Sequence, residues 1–524
     1  MSVLLVSEFN ALSPIIRLKL YKMALSTHQM WFAGHEQAGR AETCHAASAE
    51  DVEDAIQVAH KTFQSGDWSR ADRHHRADVL EKAAALLTHN LDDLIAIEVQ
   101  QTGRAIREMK AQVPSLVKWF KYYAAIIRTE ERAVLPTTGQ LHNWVERKPL
   151  GVVVQITPFN HPLLIAVKKL APALAAGNSV IIKPSELTPI TTIMLGKILK
   201  EAGLPDGVLS VLPGYGTTTG KALVSHPLVR KVDVTGGTPA GKAIGALAGG
   251  NLASFTAELG GKAPVIVTKH ANVDRAANGV CFGSFIASGQ TCVAATRIIV
   301  EKSLLPRFLD CLREKAQSIE RRMGAPTNPA SQMGPLISEK QLQVVTTLVS
   351  DASARGLEIV TGGRRMTGPS PLDGFPFSSG YYYAPTVITD GTGSKIVDAR
   401  LWKEEAFGPV IVVVPYEGEE EALRLANDTE FGLGAALWTE NLSEAHRMSD
   451  RIDAGICWVN THHRNDPSSP WGGINSSGVG SENGIDAYHA YTTTRSIIMN
   501  YATAEQSIET EDWFKDGDGA VRYG

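Results

Sequence analysis

Hydrophobic and polar positions change texture along this chain. From Ser48 to about Ile127 the apolar residues recur three or four apart, as in Val52, Ala55, Ile56, Ala59 and Phe63. That spacing lines one face of a helix. Ser48-Ala49-Glu50-Asp51 ahead of it reads as a capped helix start. The same periodicity predicts helices over about Arg70–Thr88, Leu91–Thr102 and Ile106–Ile127. At Gly151 the texture becomes short, β-branched apolar runs: Gly151–Thr157, Ser179–Lys183, Val208–Leu212 and Lys231–Val234, with helical patterns between them. Apolar strands alternating with helices predict a parallel sheet covered on both faces. Glycine-rich turns follow at Gly214-Tyr215-Gly216 and from Gly236 to Gly241, and dinucleotides bind where such strands end. After Lys262 a second α/β series runs through Pro264–Val267, Arg297–Glu301, Val410–Val414, Ala435–Thr439 and Gly455–Asn460. Gln140–Lys148 and Tyr491–Asn500 alternate as strands outside both series.

A length of 524 residues predicts two or three domains. A net charge of −4 gives no reason to expect a nucleic-acid partner. The five cysteines, Cys44, Cys281, Cys292, Cys311 and Cys457, are irregularly spaced and include no CxxC pair. This predicts a reduced compartment, no disulfide framework and no metal site. No apolar run approaches the roughly 20 residues that span a bilayer. Residues 1–30 are apolar with scattered Arg17, Lys19 and Lys22, but lack the charge order of a secretory signal. They read as a disordered leader, with Met23 a second conceivable start, or as an organelle presequence; the cytoplasm is the expected location. Thr367–Gly380, rich in Gly, Pro and Ser, reads as a surface insertion, and the polar tail from Ala502 reads as loose.

Three stretches change this picture together. Ser288-Gly289-Gln290-Thr291-Cys292 sets a cysteine between a predicted helix, Val273–Ala287, and a predicted strand. A single cysteine is more often a small buried hydrophobe than a nucleophile, and Cys281 and Cys457 read that way. Phe255-Thr256-Ala257-Glu258-Leu259-Gly260-Gly261-Lys262 and Glu404-Glu405-Ala406-Phe407-Gly408-Pro409-Val410 accompany Cys292. With Ile156-Thr157-Pro158-Phe159-Asn160 and Lys183-Pro184-Ser185-Glu186, these stretches resemble the aldehyde dehydrogenase superfamily from about Ala46 to Met499.

The resemblance implies an α/β fold with a Rossmann-like cofactor domain (residues 31–138 and 150–258), an α/β catalytic domain (259–475) and a β oligomerisation arm (139–149 and 488–501), followed by a tail (502–524). It implies oxidation of a small-molecule aldehyde to an acid in a homodimer or homotetramer. Cys292 would be the nucleophile, since a thiolate adds readily to a carbonyl. The Asn160 amide and the Cys292 backbone N–H would hold the oxyanion. Glu258, flanked by apolar residues, would be the base for deacylating water; its presence argues against the coenzyme-A-acylating branch. Lys183 and Glu186 would meet the adenosine ribose, and Glu186 would repel a 2′-phosphate, so NAD is expected over NADP. Glu405 and Phe407 would face the nicotinamide ribose and ring. Ile156, Thr157, Pro158, Phe159, Ser185, Gly216, Gly236, Gly237, Gly241 and Leu259 complete the expected cofactor set.

The chain departs from the family pattern in three places. Val234-Thr235-Gly236-Gly237 lacks the serine usual in the phosphate turn, leaving backbone N–H groups to serve. Ser481 stands where arginine is common, which puts a local ion pair in doubt. His161 and Lys168 occupy substrate-tunnel positions often held by aromatics, beside a polar loop His462-His463-Arg464-Asn465-Asp466 and Trp471. Lys168 either extends to solvent or turns inward and seeks an acidic partner; the second orientation favours a functionalised aldehyde over a plain alkanal. An NADP-preferring semialdehyde dehydrogenase and a catalytically silent binding protein are the competing readings.

Overall fold

The computed structural model describes residues 30–32, 35–37, 46–514 and 516–517. Apart from Met30, the predicted leader lies outside the described residues, as does Cys44. The first long helix, Ala49–Ser65, opens on the predicted cap: Ser48 Oγ accepts from Asp51 N–H at 3.1 Å and the Asp51 carboxylate accepts from Ser48 N–H at 2.9 Å. Helices Arg73–His89 and Leu91–Thr102 follow. The helix expected over Ile106–Ile127 is interrupted. Pro114 has no N–H to donate, and the chain tightens into a 3₁₀ turn, Val113–Leu116, between helices Ile106–Gln112 and Val117–Thr129.

The chain builds two large sheets. One has eight strands in the order Gly478–Val479, Ser254–Glu258, Val229–Thr235, Val152–Ile156, Ser179–Lys183, Leu209–Val211, Met30–Phe32, His35–Gln37. Its interior pairs are parallel, and antiparallel strands close both edges. Val152–Ile156 and Ser179–Lys183 are buried along their whole length, which is why they read as continuous apolar runs rather than alternating ones.

The other sheet has seven strands: Glu358–Thr361, Thr386–Thr389, Val410–Tyr416, Ala295–Glu301, Ala263–Val267, Gly434–Trp438 and Ile456–Val459. At its centre lies a fully buried arginine, Arg297. Its guanidinium donates to the carbonyls of Lys262, Leu425, Ala426 and Asp428 at 2.8–3.2 Å and lies 5.0 Å over the Trp402 ring. The periodicity of an apolar strand gave no hint of it.

A third sheet stands apart, with strands Thr492–Asn500, Leu141–Pro149 and Val134–Leu135. It takes in Val134 and Leu135, which the sequence reading left in the cofactor domain. Residues 488–490, expected in the arm, instead end a helix, Gly484–Ala490. Ile498 and Met499 are exposed on the outer strand.

The predicted surface insertion and the tail read as loose both carry ordered features. The insertion Thr367–Gly380 is pinned by Ser370 Oγ, which donates to Met323 O at 2.7 Å, and by the buried ring of Phe377. The tail carries a helix, Ala504–Glu511, opened by a Thr503–Gln506 capping box that the polar composition concealed.

Candidate active site

Cys292 sits beyond a strained turn. Helix Val273–Phe285 ends two residues earlier than its periodicity suggests, because Ala287, Ser288 and Gly289 all take positive φ (52°, 56° and 71°). Left-handed backbone costs a non-glycine residue about 1–2 kcal/mol, so the surroundings must hold it. Ala287 N–H donates to the Glu108 carboxylate at 3.2 Å, and Ser288 Oγ donates to Gly334 O at 2.8 Å. A Cβ on Gly289 would lie 2.2 Å from Gly408 O, so only glycine fits. Gln290 carries the strap onward: its side chain accepts from Ile337 N–H at 3.0 Å, and its carbonyl accepts from the Asn160 amide at 2.8 Å. Asn160, in the turn after Val152–Ile156, is thereby fixed against the residues leading to Cys292. Its second amide hydrogen has no partner among the described residues.

Glu258 ends the strand Ser254–Glu258, is almost fully buried, and makes no hydrogen bond with either carboxylate oxygen. Burial, then the neighbouring Glu482 charge, push it well above the ordinary carboxylate range, while Lys168 and Lys169 pull the other way. Burial pushes the Cys292 thiol up to about 12, helped by Glu258 and Glu405. Burial thus disfavours the charged form of both groups in the resting site.

Beneath them lies a buried ionic cluster. Glu482 binds Lys168 at 2.8 Å and Lys169 at 2.5 Å; Lys169 also pairs with Asp233, whose other oxygen accepts from Tyr491 Oη. Lys168 Nζ stands 4.6 Å over the Trp471 ring. Lys168 thus turns inward, but it is not unpaired: Glu482, next to the departing Ser481, neutralises it.

The other side of Cys292 is a cleft at the carboxyl ends of the first sheet. Lys183 is buried, donates to Pro184 O and Gly214 O at 2.8 Å, and is pulled down to about 8 by burial. Glu186, half-exposed, stands 3.9 Å from its ammonium. Ser185 Oγ accepts from Leu187 N–H at 3.3 Å and shapes the turn. Thr157 N–H donates to Lys183 O at 3.1 Å, tying the Ile156–Phe159 turn to that strand. Gly216 is open on its Cβ side, and Gly236 and Gly237 meet nothing closer than 4.0 Å there. Gly237 precedes helix Thr238–Gly250, whose first turn holds no acid, a suitable seat for an anion. Gly241 lies deeper: a Cβ there would stand 2.2 Å from Leu259. Its lack of a side chain permits this close helix–strand packing. Leu259 N–H donates to Ser477 O at 2.8 Å. Glu405 accepts from Gly261 N–H at 3.0 Å and is pushed up to about 7 by burial. Phe407, at φ 48°, sets its ring edge-on to Phe159 at 5.7 Å.

The sequence model of the aldehyde dehydrogenase family matches residues 35–497. The chain belongs to the aldehyde dehydrogenase family. Among solved structures it is similar to a putative aldehyde dehydrogenase from Burkholderia cenocepacia, with 37% identity over 90% of this chain and 97% of that one and a TM-score of 0.86. It is similar to PnpE from Pseudomonas sp. WBC-3 at 37% identity over 91% and 98%, TM-score 0.86. Betaine aldehyde dehydrogenase from Staphylococcus aureus, solved with NAD+, matches at 30% identity over 94% and 98%, TM-score 0.88. The chain is accordingly an aldehyde dehydrogenase oxidoreductase.

Within this aldehyde dehydrogenase, the third wall of the site is the part that motif reading missed. Arg104 is buried and donates to the Glu108 carboxylate at 3.0 Å, to Gln112 Oε1 at 3.0 Å and to His161 Nδ1 at 2.7 Å. The His161 ring lies 6.0 Å from that of His463, which holds a positive φ of 57°. The neighbouring His462 donates from Nε2 to Val293 O at 2.7 Å, and its Nδ1 has no hydrogen-bond partner among the described residues. Arg104, Glu108, Lys169 and Glu482 carry no local signal. They come from segments far apart in the chain, and only the fold assembles them. Among the described residues, no group of His, Cys, Asp and Glu could hold a metal ion, and no helix is long and apolar enough to cross a membrane.

Proposed function

We propose that the protein oxidises an aldehyde to its carboxylic acid with NAD+ through a covalent Cys292 intermediate, followed by hydrolysis. The observation that carries this reading is Glu258: a buried carboxyl with both oxygens unpartnered, close enough to Cys292 to perturb its thiol. A buried carboxyl without hydrogen bonds costs stability, and a proton acceptor beside a nucleophile is a reason to retain it.

In this reading Glu258, once ionised, takes the Cys292 proton, and the thiolate sulfur attacks the aldehyde carbon. The resulting oxyanion is held by the free Asn160 amide hydrogen and the Cys292 N–H. When bound, NAD+ supplies the hydride acceptor. Glu258 then passes that proton to solvent, takes one from the water that cleaves the thioester on Cys292, and returns it to the departing sulfur, releasing the acid and restoring the thiol. The cleft fits NAD+: Glu186 and Lys183 stand at the strand end for the ribose hydroxyls, the open Gly236-Gly237 turn and helix start suit the pyrophosphate, and Glu405 and Phe407 flank the nicotinamide end. Solved relatives bound to NAD+ support this choice. We further propose that the Thr492–Asn500 edge, with its exposed Ile498 and Met499, pairs with a second copy of the chain.

Intact-mass measurement after mixing with aldehyde and NAD+ tests the covalent route. Glu258→Gln should accumulate an acyl adduct. Cys292→Ala should form none and produce no NADH while still binding NAD+. NADH production by Cys292→Ala at the wild-type rate would refute the assignment.

A further inference from the structure

His161 carries a polar atom that the reaction above does not use. Its Nε2 is buried, and no described residue accepts from it or donates to it. The other ring nitrogen settles its protonation. Arg104 has only donors, and its Nη1 approaches His161 Nδ1 at 2.7 Å, so Nδ1 is the acceptor. The Gln112 amide, whose oxygen accepts from the same Nη1, turns its N–H₂ to Nδ1 at 3.0 Å. With Nδ1 occupied as an acceptor, the ring proton lies on Nε2. Burial, and then the charges of Arg104, His463 and Lys168, hold the ring neutral by pulling its pKa well down. Nε2–H is therefore a fixed donor, one residue after Asn160, in a wall where the Arg104 and Lys168 cations, though paired with Glu108 and Glu482, still act on the ring. A buried donor without an acceptor costs free energy, and a ligand oxygen arriving there removes that cost.

We propose, resting on the aldehyde oxidation argued above, that His161 determines substrate specificity by donating from Nε2–H to a carboxylate on the aldehyde's own chain. The substrate class is thus an oxo-acid, an aldehyde with a carboxylate at its far end, and the product is a dicarboxylate. Arg104 is the positioning residue that fixes the imidazole's tautomer. The inward Lys168 that first suggested a functionalised substrate is already satisfied by Glu482, so the discriminating donor is His161, the N-cap residue of the helix Pro162–Ala175 that carries Lys168.

The test compares 6-oxohexanoate with hexanal, equal in carbon number, using the full-length enzyme and NAD+. The wild type should favour the oxo-acid in kcat/KM. His161→Phe should lower the ratio of the two kcat/KM values at least about tenfold, chiefly through KM for the oxo-acid. His161→Gln, which can place an amide N–H near the lost Nε2–H, should recover much of it. Binding of adipate, read by Trp fluorescence without turnover, should weaken about tenfold in His161→Phe and recover in His161→Gln. A wild type that treats the two aldehydes alike, or an unchanged ratio in His161→Phe, overturns the proposal while leaving aldehyde oxidation intact. If neither aldehyde is oxidised, the adipate measurement still decides: His161-dependent binding supports the subsite, and binding indifferent to His161 overturns it.

Discussion

Replacing Glu482 by Gln removes one negative charge and little volume from beneath the catalytic pair. In the wild type this carboxylate is the shared partner of Lys168 and Lys169, and its Oε1 also accepts from Thr235 Oγ1 at 3.3 Å. Glutamine offers one oxygen to two ammonium groups and turns an N–H₂ toward the other. Asp233 remains for Lys169, but Lys168 keeps only the face of Trp471. Breaking a buried pair by removing one partner costs about 3–5 kcal/mol. Unfolding entropy near 2.1 cal/mol/K per residue makes that about 3–5 °C in Tm for a chain of 524 residues unfolding as one unit. The stability has a pH signature. The two lysines pull the folded Glu482 carboxyl down to about 2 against the burial that opposes them. Its contribution is therefore present above the unfolded value near 4.3 and lost as pH falls through about 2, so the Tm gap between wild type and variant should narrow across that window. Activity moves too. Glu482 is the neighbour that raises Glu258 most after burial itself. Without it Glu258 ionises at lower pH, and the rising limb of kcat/KM against pH should shift to the acid side. Differential scanning calorimetry and a pH–rate profile read the two effects. A Tm within about 1 °C of wild type with an unmoved limb would refute the argument that this carboxylate both holds the two lysines and sets the base.

Glu186→Ser should raise kcat/KM for NADP+ relative to NAD+ by about tenfold or more, because the half-exposed carboxylate 3.9 Å from Lys183 repels a 2′-phosphate; steady-state kinetics with both cofactors check it, and an unchanged ratio contradicts it. Light scattering at micromolar concentration should give two or four times the chain mass, and Ile498→Asp, on the exposed edge strand, should shift it toward one; a wild type that scatters as a monomer contradicts the edge-pairing reading.

The chain announced its candidate site residues because each rides on a contiguous motif. Asn160 lies in the turn after one strand, Glu258 at the end of another and Glu405 shortly before a third, in stretches whose glycines and apolar flanks are local properties. Strands Val152–Ile156 and Val410–Tyr416 were legible because they are buried, nearly continuous apolar runs, whereas Ser254–Glu258, mixed in polarity and exposed at its start, was not. Boundaries set by tertiary forces were not. The helix before Cys292 stops short because Glu108, nearly 180 residues away along the chain, captures the Ala287 N–H. Nothing between Val273 and Ala287 records that.

Polarity of the substrate wall was half legible, and the missing half changes its meaning. His161 and Lys168 were visible as polar residues where aromatic ones are common, but the chain does not say which polar groups are already satisfied. Lys168, the apparent anomaly, is neutralised by Glu482 and covered by Trp471. His161, the other polar residue at such a position, is left with a donor and, among the described residues, no acceptor. A charge buried in a site must be paired within the protein, since its desolvation cannot wait for a ligand. A neutral N–H costs only about 1–3 kcal/mol when unmade and can wait. Specificity in such a wall therefore resides in the weaker, unpaired donor, and the stronger charge beside it serves to bias the sign of what that donor accepts.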